Sequence, residues 1–286
     1  MRLYWYGFLM LCKKFIFRQN TGTVICDFAQ HMGVVYIKVA QILAMQNVGS
    51  LFTEADRQKL SQICDHCNPI KFSEIKKLLI AEYGANYLHN FRSIDETPLG
   101  SASISQVHRA ILRDGTEVVL KIKRRDVTRR IQKDIRQIRK FIHCFGRFAQ
   151  FKNFFGSDRA LECYVDWIMQ ETDFASEQQN ILTYQNFARS VNGKVKAVST
   201  KIVVPKLFPE LCTDNIIVME YIAHPTINHL PMTAENKQKV AQAENDYIKL
   251  SFYALFHDMP VVFHGDPHGG NIYLDSAGNL GFLDMG

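Results

Sequence analysis

The chain has 286 residues, a hydrophobic fraction of 47% and a charged fraction of 22%, which describe a globular protein with a sizeable core and exclude a disordered one. The formal net charge of +6 suits phosphate-bearing ligands or an anionic membrane surface, although it requires neither. The sequence has no dense run of Lys and Arg with interleaved aromatic residues, so nucleic acid is not expected as a partner.

Residues 1–90 are predicted to form a helical extension. Apolar residues from Val24 to Met45 recur at helical spacing, and the segments 51–67 and 72–83 are also predicted helices. The apolar stretch 3–17 is broken by two lysines and lacks the roughly 20 apolar residues of a spanning helix. It is expected either to lie at a membrane interface or to pack on the domain.

After residue 90 the pattern changes to short β-branched runs separated by helical segments. The predicted strands cover residues 91–94, 104–112, 117–123, 201–204, 216–220, 272–274 and 280–283, and the predicted helices cover 126–146, 159–187 and 235–257. This order of elements predicts an α+β chain in two lobes.

A polar loop near the C-terminus carries the strongest chemical signal. Asp266 follows His264 by two positions and precedes Asn271 by five, which matches the catalytic loop of kinases, and a hairpin then leads to Asp284 in an Asp-x-Gly motif. Phosphoryl transfer needs Mg²⁺ held by hard oxygen ligands. Asn271 and Asp284 are therefore predicted to hold the metal, and Asp266 to orient or deprotonate an attacking hydroxyl or water.

A second group of residues is predicted to bind a nucleotide. Lys121 lies in an otherwise apolar strand, where a buried ammonium is costly without a partner. In kinases such a lysine grips the α- and β-phosphates and pairs with a helix glutamate, for which Glu177 is the candidate. Glu220 ends a strand where a kinase hinge would meet adenine. A small-residue loop lies where a phosphate-covering loop is expected, and it consists of Gly100, Ser101, Ala102 and Ser103.

The order of these motifs resembles the UbiB/AarF family of atypical kinases, called ADCK in animals. Lys38 and Gln41 lie in a segment that looks like the KxGQ signature of the family. Its ExD signature with a following Glu and Asn is matched by Glu171, Asp173, Glu177 and Asn180. The polar loop resembles the HxDPHxGN loop of the family. The resemblance implies that Lys38 and Gln41 lie close to the nucleotide, with Glu171 and Asp173 on the facing helix.

The resemblance also implies a protein-kinase-like fold and a function. It predicts a helical extension in residues 1–90, an N-lobe with inserted helices in 91–222 and an incomplete C-lobe in 223–286, with the chain cut off just after the second metal-binding motif. ATP and Mg²⁺ are the implied cofactors. An ATPase or kinase acting in ubiquinone or isoprenoid-lipid metabolism is the implied function, at the inner, cytoplasmic face of a membrane, with a lipid or quinone precursor and a membrane-bound complex as partners.

Two alternatives remain open. A small-molecule phosphotransferase of the aminoglycoside or choline kinase type also carries a His-Gly-Asp loop, but it lacks the extension with Lys38 and Gln41. A catalytically inactive nucleotide-binding scaffold is favoured by the chain ending at Gly286 and disfavoured by the retained lysine and acidic residues. Among the departures from the family pattern, Ala40 stands where the family has Gly, and Gly100 and Ser101 replace alanines.

Overall fold

The computed structural model describes residues 6–7, 21–45, 53–55, 68–145, 165–231, 233–264 and 269–285. These residues form α-helices and short β-strands, which confirms the α+β class. The stretch 3–17 and the predicted helix 51–67 lie almost entirely outside them. In the described part of the chain, no helix is long and apolar enough to cross a membrane.

The chain divides into two compact units. Unit 1 comprises Met1–Gly84, Glu96–His108 and Lys121–Thr172, and unit 2 comprises Ala85–Asp95, Arg109–Leu120 and Asp173–Gly286. Each unit therefore combines segments that are distant in sequence. The three consecutive segments expected from the resemblance stay a prediction.

Unit 1 begins with the helices α1 (Thr21–Met32) and α2 (Val34–Met45), which pack against each other. The single helical run expected from Val24 to Met45 is wrong at one point, because Gly33 has a φ of +120° and separates the two helices. Side-chain-bearing residues rarely adopt this conformation, whereas glycine adopts it freely. The Gly33 amide donates to the carbonyl of Ala29, and the Gly33 carbonyl accepts from Ile37.

Helix α3 (Phe72–Tyr83) ends at Gly84 as expected. The core of unit 1 forms where α1 and α2 meet a later helix, α4 (Val127–Phe145). Helix α4 buries Val127, Ile131, Ile135 and Ile138, which recur every three or four residues. Polar and mostly cationic side chains occupy most of its other positions, so α4 is a strongly amphipathic helix. Burial of this apolar stripe holds α4 against the extension.

Two strands pass through both units: β3 (Ser105–Leu112) and β4 (Glu117–Lys123). In unit 1, the short strand β2 (Gly100–Ser101) pairs antiparallel with β3 through Gly100 and Val107. In unit 2, the strand order is β1-β3-β4-β6, with β1 (Phe91–Ile94) and β6 (Ile216–Glu220) at the ends.

Unit 2 contains two long helices, α5 (Phe174–Val191) and α6 (Ala234–Phe256), which pack against each other. The helix predicted over 159–187 is wrong as a continuous element, because residues 171–173 form a turn after a helical stretch at 165–170. The Asp173 carboxylate accepts a hydrogen bond from the Ser176 amide at 3.1 Å and so begins a new helix there.

A second, three-stranded sheet of unit 2 has the order β5-β8-β7. Strands β7 (Ile272–Leu274) and β8 (Leu280–Phe282) form the predicted hairpin, and β5 (Ile202–Val203) pairs parallel with β8. All residues of β7 and β8 are buried, which fixes the register of the hairpin because a shift by one residue would exchange its two faces.

Candidate functional site

An ion pair in unit 1 joins the KxGQ-like segment to the glutamate that begins the ExD signature. Lys38 on α2 donates from Nζ to Oε1 of Glu171 at 2.6 Å, and both side chains are largely buried, with 14% and 22% exposed. The same ammonium lies 4.7 Å from the centre of the Trp167 ring. A carboxylate and an aromatic face both attract an ammonium group, and these contacts offset part of the cost of shielding it from water. The structure thus brings Lys38 and Glu171 together.

Two predicted residues receive only a partial description. Gln41 belongs to α2, three residues after Lys38, so its Cα lies on the same side of the helix as that of Lys38. The structure does not describe the Gln41 side chain. Asp266, the predicted catalytic carboxylate, lies outside the described residues.

The small-residue loop Gly100–Ser103 is held from both sides in unit 1. Arg124, which directly follows β4, donates from Nε to the Ala102 carbonyl at 2.9 Å and from Nη2 to the Ser101 hydroxyl at 2.7 Å. The Ala102 amide donates to the Ser105 carbonyl at 2.9 Å. Gly100 and Ser101 are paired with β3. The loop is therefore restrained before any ligand approaches, which lowers the entropy cost of binding.

A buried glutamine supports the same loop. Gln106 accepts from the Ile70 amide at 2.9 Å and from the Ser101 hydroxyl at 3.3 Å. Its amide nitrogen donates to the Ile70 carbonyl at 3.2 Å and lies 2.9 Å from Nε2 of His108. Because an amide NH₂ only donates, Nε2 of His108 accepts this bond. Through these four hydrogen bonds, the fully buried Gln106 ties β3 and the loop to Ile70, two residues before α3.

Lys121 occupies the position in β4 that the sequence predicted. Its neighbours Leu120 and Ile122 are fully buried, whereas Lys121 is half-buried, so the side chain points to the opposite face of the strand. Lys121 belongs to unit 1 and Glu177 to unit 2. Their pairing stays a prediction.

Asp173 and Glu177 lie at the start of α5 in unit 2. The Asp173 carboxylate accepts from both the amide and the hydroxyl of Ser176, at 3.1 Å and 2.7 Å, so part of its role is to cap the helix. Glu177 lies one turn later and is only 3% exposed. A buried carboxylate in the first turn of a helix benefits from the positive end of the helix dipole.

The predicted metal ligands lie at one end of the β7–β8 hairpin. Ile272 pairs with Phe282, and the Leu283 amide donates to the Asn271 carbonyl at 2.8 Å. Asn271 directly precedes β7 and Asp284 follows β8 by two residues, so both lie at the same end of the hairpin. An amide oxygen and a carboxylate are hard donors that fit Mg²⁺, which uses few protein ligands when phosphates complete its coordination.

Two side chains hold the segment around Asp284. Asn180 on α5 donates from Nδ2 to the Met285 carbonyl at 2.9 Å. His264 contacts the Asp284 carbonyl through Nε2, and its ring stacks on Phe282 with centroids 5.3 Å apart. These contacts fix the main chain on both sides of the Asp284 side chain.

Glu220 ends the strand that is predicted to act as a hinge, and main-chain groups at this position form hydrogen bonds within unit 2. The Glu220 amide donates to the Lys206 carbonyl at 2.8 Å, and the Glu220 carboxylate accepts from the Lys206 amide at 3.1 Å. The Tyr221 amide donates to the Glu117 carbonyl at 3.1 Å. The exposed Glu220 side chain thus ties β6 to the preceding loop.

The family model for the ABC1 atypical kinase-like domain matches residues 62–286. The chain belongs to this family. Membership confirms the resemblance to UbiB/AarF kinases and the kinase-like fold, and it makes the chain an atypical-kinase homologue.

Relatives with kinase names agree with membership of the ABC1 family. The chain is 29% identical over 249 residues to a probable protein kinase UbiB of Shewanella loihica, covering 86% of this chain and 43% of the relative. It is 27% identical over 264 residues to an uncharacterized aarF domain-containing protein kinase of Arabidopsis thaliana, covering 90% and 46%. The chain spans about half the length of these relatives.

One solved structure shows the same fold. It is the Rv3197–erythromycin complex from Mycobacterium tuberculosis, with a TM-score of 0.59, 23% identity, and coverage of 85% of this chain and 57% of that one. This similarity concerns the fold alone.

The sequence did not indicate which residues of this ABC1 domain hold the small-residue loop and the Asp284 segment in place. Arg124 and Gln106 hold the small-residue loop through contacts that span at least five residues of sequence. Gln106 is one of several polar residues of β3, and Arg124 is one of three consecutive cations at positions 123–125, so no local pattern sets either of them apart. Asn180 was recognised as part of a signature, but its contact with Met285 was not expected.

Proposed function

We propose that this chain binds ATP with Mg²⁺ and transfers or hydrolyses the terminal phosphoryl group. The observation that carries the proposal is the hairpin register that directs Asn271 and Asp284 from one end of β7 and β8. Family membership supports the same chemistry, because the family is one of atypical kinases.

Each residue has a distinct role in this proposal. Asn271 and Asp284 hold Mg²⁺, which neutralises charge on the phosphates. Lys121 binds the α- and β-phosphates and pairs with Glu177, while the small-residue loop donates its hydrogen bonds from Ser101 and Ser103. Asp266 orients the attacking hydroxyl or water and accepts its proton.

The Lys38–Glu171 pair supports a UbiB-type activity over the aminoglycoside-kinase alternative. The pair lies in the extension and its facing segment, which the small-molecule phosphotransferases lack. We propose that Gln41 and Asp173 act with this pair beside the nucleotide. We propose that the substrate is a quinone precursor or an isoprenoid lipid, approached by a peripheral contact with the membrane, as the resemblance to the UbiB/AarF family implies.

Titration of the purified chain with a fluorescent ATP analogue, with and without Mg²⁺, tests the proposal. We expect Mg²⁺ to tighten binding, Asp284→Asn to abolish that effect, and Lys121→Met to weaken binding in both conditions. Failure of the folded chain to bind the analogue would contradict the proposal.

Phosphate release in the presence of lipid or quinone-precursor mimics then separates the candidate activities. Stimulated release that Asp284→Asn abolishes supports the UbiB-type ATPase. Tight nucleotide binding without turnover supports the inactive scaffold. Transfer to a soluble amine or hydroxyl compound supports the small-molecule phosphotransferase.

A further inference from the structure

Unit 1 contains a cavity of about 580 Å³ at the turn between α1 and α2. One wall is the first half of α4, and the opposite wall is the helix turn around Gly33, with Ser103 at the edge. Of the predicted nucleotide residues, Ser103 lines it, whereas Lys38, Lys121 and Glu171 do not. Its volume falls in the range of roughly 300–1,000 Å³ that small-molecule sites occupy, and it exceeds the size of a single inorganic anion.

The cavity wall is strongly cationic. Arg124, Arg125, Arg130 and Lys133 line it, against the single carboxylate of Asp134. Four positive side chains around one concave surface concentrate a positive potential and attract an anion. A phosphate group, with several acceptor oxygens, satisfies arginine and lysine donors better than a single carboxylate does.

Two of these cations have donors available for a ligand. Arg124 already donates to the Ala102 carbonyl and the Ser101 hydroxyl, and Arg125 lies 3.9 Å from the Asp126 carboxylate. Within the described part of the chain, no carboxylate forms an ion pair with Arg130 or Lys133. These two residues are three apart on α4 and therefore lie on one stripe of the helix.

Most of the remaining lining residues are apolar, beside the polar side chains of His31, Ser103 and Gln137. Met32, Val34, Ile37, Val127 and Ile131 contribute to the same cavity. A site with an apolar floor and cationic walls is complementary to a molecule that has an apolar chain and an anionic head. Inorganic phosphate alone would leave these apolar side chains in contact with water, so the lining favours a phosphate ester with a hydrocarbon tail.

We propose that this cavity binds a phosphate-bearing amphiphile, with Arg130 and Lys133 on the phosphate and the α1–α2 turn against the hydrocarbon chain. The cavity shares Ser103 with the small-residue loop, and the proposal concerns a ligand other than the nucleotide.

Helix α4 offers a matched control for this proposal. Arg129 and Arg136 are exposed cations of the same helix that do not line the cavity. The variant Arg130→Gln/Lys133→Gln and the variant Arg129→Gln/Arg136→Gln thus remove equal charge from one helix. All four positions are exposed, so both variants are expected to fold, and thermal unfolding checks this.

Calorimetric titration of the full chain with monomeric octyl phosphate, inorganic phosphate and octyl glucoside tests the proposal. We expect octyl phosphate to bind, with affinity falling at least about tenfold in Arg130→Gln/Lys133→Gln and less than about twofold in Arg129→Gln/Arg136→Gln. Inorganic phosphate and octyl glucoside should each bind at least about tenfold more weakly than octyl phosphate.

Several results would overturn it. They are absence of octyl phosphate binding, equal weakening in the two variants, or inorganic phosphate binding as tightly as octyl phosphate. Displacement of octyl phosphate by ATP would make the cavity part of the nucleotide site. Binding to phosphatidylglycerol vesicles without binding to octyl phosphate would indicate a charged membrane surface instead of a site.

Discussion

The side-chain amide of Asn180 donates to the carbonyl of Met285 at 2.9 Å, across 105 residues of sequence. Asn180 lies on α5 one turn after Glu177, and Met285 directly follows Asp284. The helix that carries one predicted site residue thereby restrains the main chain beside another. A single hydrogen bond thus joins two motifs that the sequence shows only as separate signatures.

Asn180→Ala should weaken Mg²⁺-dependent binding of ATP. Loss of one hydrogen bond of about 1 kcal/mol lets the Asp284 segment move, which corresponds to about fivefold in affinity. Titration with the fluorescent analogue measures the effect, and Mg²⁺-free binding should stay unchanged. Asn236→Ala is the matched control, because Asn236 makes an equivalent 2.9 Å bond to the Pro231 carbonyl away from the site. An equal loss in both variants would argue against a specific role.

The Lys38–Glu171 pair should show strong coupling in a double-mutant cycle. Replacing either residue with Gln leaves the other charge largely buried without its partner, so we expect a coupling free energy of roughly 1 to 3 kcal/mol in urea unfolding. The Lys239–Glu235 pair has the same 2.6 Å separation but is exposed on α6. The same cycle there should give a negligible coupling, since water screens exposed pairs. Similar values for both pairs would show that burial of Lys38 and Glu171 contributes nothing.

Asp246 should make the stability of unit 2 sensitive to acid. Burial raises the pKa of Asp246, but hydrogen bonds from Gln242, Lys249 and the Thr200 amide outweigh it and hold the pKa below its ordinary value. A lowered pKa in the folded state means that the stabilisation is present above the unfolded pKa of about 4 and is lost as the pH falls through the folded pKa.

Asp246→Asn should therefore lower the free energy of unfolding by roughly 1 to 2 kcal/mol at pH 7 and reduce its decline below about pH 4. Urea unfolding across a pH series measures both effects. Glu244→Gln, an exposed carboxylate on the same helix, should leave the profile unchanged. An unaltered acid dependence in Asp246→Asn would refute the assignment.

Gly281 should not tolerate a methyl group. It is the cross-strand partner of Tyr273, and a Cβ at position 281 would lie 2.0 Å from the tyrosine ring. Gly281→Ala should cost about 2 to 3 kcal/mol because the buried ring cannot move away without strain. Thermal unfolding measures the loss, and Tyr273→Val should reduce the additional cost of Gly281→Ala.

Gly100→Ala is the corresponding control, because a Cβ there has no atom within 4 Å. It should change stability by less than about 0.5 kcal/mol. A comparable loss at both glycines would mean that the cost arises from the backbone and not from the ring.

Local elements were predictable from the sequence, whereas their breaks and long-range contacts were not. Helix Phe72–Tyr83 and strand β4 have the predicted ends, because periodicity and turn residues act within a few positions. The break at Gly33 went unrecognised because the apolar pattern continues across it. The contacts of Arg124 depend on which loop folds beside it, and no local pattern encodes that choice.

The pairing of β5 with β8 has a consequence for the order of assembly. Ile202 meets Leu280, and the Lys201 amide donates to Asn279, each across 78 residues. The hairpin of β7 and β8 can close within microseconds, but its parallel neighbour requires a long loop to close first. During synthesis this sheet cannot form before residue 280 has emerged, so the oxygen donors beside it acquire their final geometry only after the two distant segments have met.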